Sequence, residues 1–215
     1  MEEWSFRKEL ARKFVHFLSI SVLFVYFIIA DLFSRQLALL ILVFVLVVFL
    51  EIEYIRIEIG NRIPLLNKIL NYYRREKERE KLGGDVFFLI GAIVVLSVFD
   101  LRIAMAAILM TIFGDLAAAL IGSRFGKHYL SFLKNRAWEG IIAEFFVDLI
   151  AGAVVFFVIS GFSVYTFQPW SIILVMSLVA TFVETIIYKM DDNLLIPVFA
   201  GFSGQIISLL FSYFL

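Results

Sequence analysis

Four carboxylates stand in stretches that are otherwise apolar enough to cross a membrane: Asp115, Glu144, Asp148 and Glu184. An ionised group at the centre of a membrane helix costs at least about 2.5–3.5 kcal/mol, so such residues mark ion, proton or ligand sites by default. Asp115 lies in Phe-Gly-Asp-Leu-Ala-Ala-Ala-Leu-Ile-Gly-Ser-Arg-Phe-Gly, where Gly114, Ala118, Gly122 and Gly126 recur about one helical turn apart. A ridge of this kind packs helices closely. It also lets backbone N–H groups approach a polyphosphate while the neighbouring acid binds Mg²⁺. Glu144 and Asp148, four residues apart, share one helical face, where like charges repel. A cation between them, a proton on one of them, or basic residues across the bundle would relieve that repulsion. Glu184 stands seven and eight residues before Asp191 and Asp192, and Asp191-Asp192-Asn193 leads into Pro197. An Asp-Asp-Asn turn can be a polar helix cap. With a third acid close behind it, the same turn makes an oxygen-rich cluster suited to hard cations that keep several waters.

Cations of the opposite sign are available in two places. Glu9, Arg12, Lys13 and His16 occupy one helical face near the N-terminus. Arg12 and Lys13 suit either interfacial anchoring or phosphate binding. His16, beyond them, suits a core position, a phosphate contact or a proton carrier. Arg124, Lys127, Lys134 and Arg136 follow the glycine ridge, just ahead of Trp138-Glu139-Gly140. Together these segments hold the ingredients of phosphoryl or nucleotidyl transfer: cations for phosphate oxygens, glycines beside an acid, and carboxylates for a metal. No Walker A sequence is present, so a P-loop is excluded.

The elements that must position these residues are membrane spans. Of 215 residues, 62% are apolar or aromatic and 18% charged, against about 45–50% and about 25% in soluble domains. Nineteen basic and nineteen acidic residues cancel, which argues against a nucleic-acid partner. The absence of cysteine excludes disulfides, thiolate chemistry and zinc–sulfur sites. A span needs roughly 20 apolar residues, about 17 at the short end, and seven stretches qualify once flanks are allowed: 14–30, 36–50, 85–99, 103–121, 141–160, 170–188 and 194–215. The first lacks a small-residue cleavage site and is expected to be retained rather than removed as a signal peptide. With the N-terminus inside, segments 1–13, 51–84, 122–140 and 189–193 face the cytoplasm and carry 17 of the 19 Lys/Arg, leaving Arg35 and Arg102 outside. That alternation agrees with the positive-inside rule. Within 54–82, Ile55, Ile59, Ile63, Leu66, Ile69, Leu70 and Tyr73 recur at helical spacing, predicting an amphipathic helix broken at Pro64 on the cytoplasmic surface. No internal repeat or soluble domain is visible. The expectation is one all-α, polytopic membrane-embedded domain over 1–215, with its chemistry at the cytoplasmic face, in the cell membrane if the source is prokaryotic. Nothing calls for an obligate protein partner.

The motifs, in order, resemble those of the polyprenol kinase family, which includes dolichol kinase, phytol kinase and CTP-dependent diacylglycerol kinases. Glu9-x-x-Arg12-Lys13-x-x-His16 is similar to its opening motif. Asn67, Arg75-Glu76 and the Gly-Asp-Val-Phe-Phe-Leu-Ile-Gly stretch are similar to its central loop and third span. Gly114-Asp115-x-x-Ala118-x-x-x-Gly122-x-x-x-Gly126 resembles its most recognisable block. Ala180-Thr-x-Val-Glu184 with Asp191-Asp192-Asn193-x-x-x-Pro197 resembles its C-terminal signature. One block departs: the family pattern of Lys, a hydroxyl residue, a bulky residue, Glu-Gly and a second hydroxyl residue is here Arg136-Ala137-Trp138-Glu139-Gly140-Ile141. The cation is retained as Arg and both hydroxyls are gone, and Arg and Lys are not equivalent at a phosphate.

The resemblance implies that CTP donates its γ-phosphate to the hydroxyl of a membrane lipid alcohol, with dolichol or another polyprenol favoured and phytol or a diacylglycerol-like lipid as alternatives. It further implies a divalent cation, Mg²⁺ or another, held by Asp115, Glu184, Asp191 and Asp192. Arg12, Lys13, Lys127, Lys134, Arg136 and Asn193 would face the nucleotide, with Gly114, Gly122 and Gly126 lying against it. Asp115 or His16 would receive the alcohol proton. Two other readings fit less well. A membrane CTP:lipid-phosphate cytidylyltransferase would carry a different C-terminal signature, and a small ion-coupled transporter would show an inverted repeat.

Overall fold

The computed structural model describes residues 20–59, 81–130, 136–187 and 190–214. Among these residues seven α-helices follow one another: α1 (Ile20–Leu32), α2 (Arg35–Tyr54), α3 (Gly84–Val98), α4 (Leu101–Phe125), α5 (Trp138–Ala153), α6 (Phe167–Ile186) and α7 (Asp192–Phe214). Wider π-helical turns, Ile55–Ile59 and Val154–Ile159, continue α2 and α5. Five stretches are long and apolar enough to cross a membrane: Arg35–Glu58, Leu101–Phe125, Trp138–Ile159, Phe167–Ile186 and Asp192–Tyr213. The helices α1 and α3 are apolar but shorter, at 13 and 15 residues. Large apolar side chains such as Phe44, Ile150, Phe182 and Leu209 point outward, as lipid-facing surfaces require. This is the architecture of an all-α polytopic membrane protein, and each helix falls on one of the seven apolar stretches read from the sequence. The opening motif with Arg12, Lys13 and His16, most of the amphipathic segment 54–82, and Lys134 lie outside the described residues.

The chain divides into two compact units, Met1–Ile90 and Gly91–Leu215. In the first, α1 packs on α2 through Leu23, Tyr26, Ala38 and Leu42. Ser34 starts α2 by accepting the Leu37 N–H at 3.2 Å, which satisfies one of the donors a helix start leaves free. The same helix runs past the expected boundary at residue 50 because its polar end is internally neutralised. Glu53 and Arg56, one turn apart and 4% and 3% exposed, pair at 2.8 Å. Arg56 also donates to the Lys81 carbonyl at 2.5 Å, and Glu53 accepts the Gly83 N–H at 3.0 Å. The pair thus ties the end of α2 to the approach to α3.

In the second unit α4 is central, meeting α5 most extensively and also α6 and α7, while α6 lies along α7. Small residues allow this. Ala104, Ala106 and Ala107 are fully buried, and the buried Thr111 returns its hydroxyl to the Ala107 carbonyl at 2.8 Å, so no polar group is stranded. Asp100 caps α4 through the Arg102 N–H at 3.0 Å. Pro197 sits inside α7 and cannot donate to the Asn193 carbonyl four residues back. Gly91 on α3 approaches this spot so closely that a Cβ there would stand 3.0 Å from both the Asn193 oxygen and Pro197 Cγ.

The α4–α5 contact is a close one, because Gly122 faces Gly140. A Cβ on Gly140 would come within 2.8 Å of the Ala118 carbonyl oxygen and 3.1 Å of Gly122 Cα, both backbone atoms. A Cβ on Gly122 would meet nothing nearer than 3.6 Å. Gly140→Ala should therefore force the two helices apart and lower stability by about 1–3 kcal/mol, while Gly122→Ala should be neutral or slightly stabilising. Thermal unfolding of the two variants in detergent checks this. Equal loss from both would contradict the packing described.

Candidate functional site

The site begins where α4 and α5 touch. At position 114 the missing side chain leaves a seat on α4, and the Asp148 carboxylate of α5 occupies it. A Cβ there would overlap Asp148 Oδ1 and stand 3.3 Å from Glu144 Cγ. One turn and two turns further along α4, Ala118 and Gly122 receive the backbone of Gly140. Gly126 closes the ridge: its N–H reaches the Gly122 carbonyl at 3.2 Å, and a Cβ on it would come within 2.7 Å of Ala137 Cβ. Gly114, Gly122 and Gly126, expected to lie against a nucleotide, thus have α5 and the approach to it beside them. The ridge is filled by α5 and by the residue preceding it, the helix-packing use of small residues.

A two-stranded hairpin delivers the cation. After α4 the chain forms β1 (Tyr129–Leu130), which pairs antiparallel with β2 (Arg136–Ala137), Tyr129 opposite Ala137. The Trp138 N–H donates to the His128 carbonyl at 3.0 Å, and the exposed His128 ring meets Glu139 at 2.8 Å. The turn back places Arg136 directly ahead of α5. Its Nη1 donates to Glu184 Oε1 of α6 at 2.5 Å, and its Nη2 stands 4.0 Å from Asp192 Oδ2 at the start of α7. Burial works against the Arg136 charge, but Glu184, with Glu144 and Asp192 behind it, outweighs that loss and raises its pKa above the ordinary arginine value. The guanidinium is permanently charged and joins three helices.

Around it the carboxylates crowd. Glu144, Asp148 and Glu184 are 1%, 1% and 2% exposed. Glu184 lies within electrostatic reach of Asp115 and Asp192 as well as Arg136, and within hydrogen-bonding reach of Glu144. Five acids from four helices thus share one neighbourhood with one described guanidinium. Among the described residues, Glu144 Oε2, Glu184 Oε2 and both oxygens of Asp148 have no hydrogen-bond partner. Buried charge is normally paired or coordinates a cation, so the all-oxygen donor set and its surplus of negative charge fit a hard metal ion in chemistry. Among the described residues, however, no three His, Cys, Asp or Glu side chains converge tightly enough to hold a metal by themselves.

The residues singled out in the sequence are distributed unevenly. Asp115, Glu184, Asp192 and Arg136 come together. Asp191, next to Asp192, caps α7, its Oδ1 accepting the Asn193 N–H at 3.1 Å and the Asn193 side-chain amide at 2.9 Å. Lys127 is exposed in the connection after α4. Glu144 and Asp148, left without a role by sequence, prove integral to the cluster. The Glu53–Arg56 pair was not singled out at all, although its i, i+3 spacing of opposite charges at the end of an apolar run was the signal for it.

The chain is 28% identical over 141 residues to the CTP-dependent diacylglycerol kinase 1 of Schizosaccharomyces pombe, covering 62% of this chain and 64% of that protein. It is 30% identical over 132 residues to the probable chloroplastic phytol kinase 1 of Oryza sativa subsp. japonica, covering 58% and 42%. It is 29% identical over 133 residues to the chloroplastic phytol kinase 1 of Arabidopsis thaliana, covering 58% and 43%. The aligned stretch is thus less than two thirds of the length of each of these relatives. No family model matches the chain, and no solved structure matches it either. Over about 58–62% of its length, the chain is thus similar to a CTP-dependent diacylglycerol kinase and to phytol kinases.

Proposed function

We propose that the chain transfers the γ-phosphate of CTP to the hydroxyl of a membrane lipid alcohol. The observation that carries this reading is the meeting of Asp115 within α4, Arg136 just ahead of α5, Glu184 near the end of α6 and Asp192 at the start of α7, in a chain similar to a CTP-dependent diacylglycerol kinase and to phytol kinases. The acceptor is a long isoprenoid or glycerolipid alcohol, with dolichol or another polyprenol as the favoured class. Such an acceptor is insoluble in water, so its hydroxyl must be met at the membrane surface while its tail lies among apolar helix faces. The concentration of Lys/Arg in the segments read as internal supports a cytoplasmic site.

In this reading the alcohol oxygen forms a bond to the γ-phosphorus, the bond from that phosphorus to the β,γ-bridging oxygen breaks, and CDP leaves. The alcohol proton passes to Asp115 or His16. Arg136, with Arg12, Lys13, Lys127, Lys134 and Asn193, holds phosphate oxygens and base. Asp115, Asp191, Asp192 and Glu184 are the residues that would hold Mg²⁺, which when bound neutralises charge on the phosphates. Catalysis of this kind is mostly alignment and charge neutralisation. The ridge glycines act at one remove, by letting α5 bring its acids and Arg136 to Asp115.

Purified full chain given CTP labelled at the γ-phosphate and a panel of polyprenol, phytol and diacylglycerol should label one lipid monophosphate and release CDP. Release of pyrophosphate with a CDP-linked lipid would instead identify a cytidylyltransferase, and a tenfold preference for ATP would refute the donor.

Asp115→Asn keeps the shape and removes the charge, so folding should persist while turnover falls by about two orders of magnitude or more, the usual cost of losing one strong electrostatic contact at such a site. Arg136→Lys should reduce turnover less than Arg136→Met, because the ammonium keeps the charge and loses the fork that spans Glu184 and Asp192. Retention of more than half the activity in well-folded Asp115→Asn would remove that residue from the site.

A further inference from the structure

Glu144 and Asp148 are the two buried acids that the transfer chemistry leaves unused. Each is 1% exposed. The Asp148 carboxylate is seated on bare Gly114 backbone, and Glu144 Cγ lies beside the same position. Among the described residues neither oxygen of Asp148 nor Oε2 of Glu144 has a hydrogen-bond partner. Arg136, whose charge also reaches Glu144, directs its two terminal nitrogens to Glu184 and Asp192. Two carboxylates four apart on one helix face repel, and a buried charge is retained only where something neutralises it.

We propose that Glu144 and Asp148 form a cation site on the face of α5 that abuts Gly114. It takes a hard, oxygen-preferring metal ion, with water or main-chain carbonyls completing the shell. Two carboxylates suffice, since small hard cations are commonly held by one or two carboxylates and keep several waters. The site adjoins the metal position assigned to Asp115 and the acids of α6 and α7, since Glu144 lies within hydrogen-bonding reach of Glu184, and differs from it in drawing on Asp148. It also does not depend on which nucleotide or lipid the protein uses. Gly114 is its positioning residue: any side chain there displaces the Asp148 carboxylate.

The test uses the purified full chain in detergent, in metal-free choline buffer without nucleotide or lipid alcohol. Mg²⁺, Ca²⁺ or Na⁺ is added in separate titrations while the Tm is followed. At least one ion should raise the Tm saturably, by about 5 °C or more at a hundredfold excess over its Kd. The Glu144→Gln/Asp148→Asn double variant should lose the rise and melt at or above the wild-type temperature in metal-free buffer, because its uncompensated charges are gone. Gly114→Ala should also lose the rise, and Asp115→Asn should keep it. Equilibrium dialysis of nucleotide-free wild type against the stabilising ion should count one bound ion that Asp148→Asn lacks, a readout independent of the melting of the double variant. Absence of any cation-dependent rise in wild type, a rise that survives in the double variant, or one abolished by Asp115→Asn would each overturn the proposal.

Discussion

A single guanidinium surrounded by carboxylates inside an apolar bundle sets the terms for the rest of the second unit. In water the attraction between Arg136 and Glu184 would be small; between helices, where the effective dielectric constant is lower, it is several times larger. The desolvation of both partners grows as well, so the pair is stable only with good geometry and neighbours that share the load. Arg136 meets these conditions by holding Glu184 on one side and Asp192 on the other. The short hairpin Tyr129–Leu130 with Arg136–Ala137 exists in this arrangement to turn the chain back after α4 and start α5 with that cation in place. The starts of α5 and α7 and the last turns of α6 are held to the same point.

The small residues of α4 are what let so much charge gather there. Gly122 against Gly140 sets how near the two helices come, and Gly114 supplies the room in which Asp148 and Glu144 fit. A larger residue at 114 would need the acids to leave, and a larger one at 140 would separate the backbones. Packing and electrostatics are therefore the same constraint in this interface. The glycines admit the carboxylates, and the carboxylates in turn require neutralisation that a membrane interior does not supply. The first unit solves a smaller version of the problem with Glu53 and Arg56, where both acid oxygens and the Nε and Nη2 of the guanidinium find side-chain or main-chain partners.

Much of this was legible from residue types and spacing. The unusual position of Asp115, Glu144, Asp148 and Glu184 was visible because an acid in an apolar run is costly wherever the run packs. The common site of Asp115, Glu184, Asp192 and Arg136 followed from motif order and resemblance. The ridge of Gly114, Gly122 and Gly126 was open to two readings, helix packing and a phosphate-facing surface, because bare backbone admits a neighbouring helix as readily as a phosphate; the structure shows α5 beside it. Asp191 and Asn193 illustrate the same ambiguity, since a turn rich in oxygen can serve as a helix cap and as a metal ligand, and the cap uses only Oδ1 of Asp191.

By itself the sequence determined the seven helices and their apolar outer surfaces, because a chain without water around it must satisfy its backbone internally and the lengths of its apolar runs allow little else. It also singled out Asp115, Glu144, Asp148 and Glu184, since the cost of an acid in such surroundings does not depend on what it touches. Only the tertiary structure decided which residues meet: Arg136 with Glu184 and Asp192, Asp148 against Gly114, Gly122 against Gly140. Helical periodicity assigns a residue to a face of its own helix. Which face of another helix lies opposite depends on close packing across the bundle, and no spacing along one chain segment encodes it.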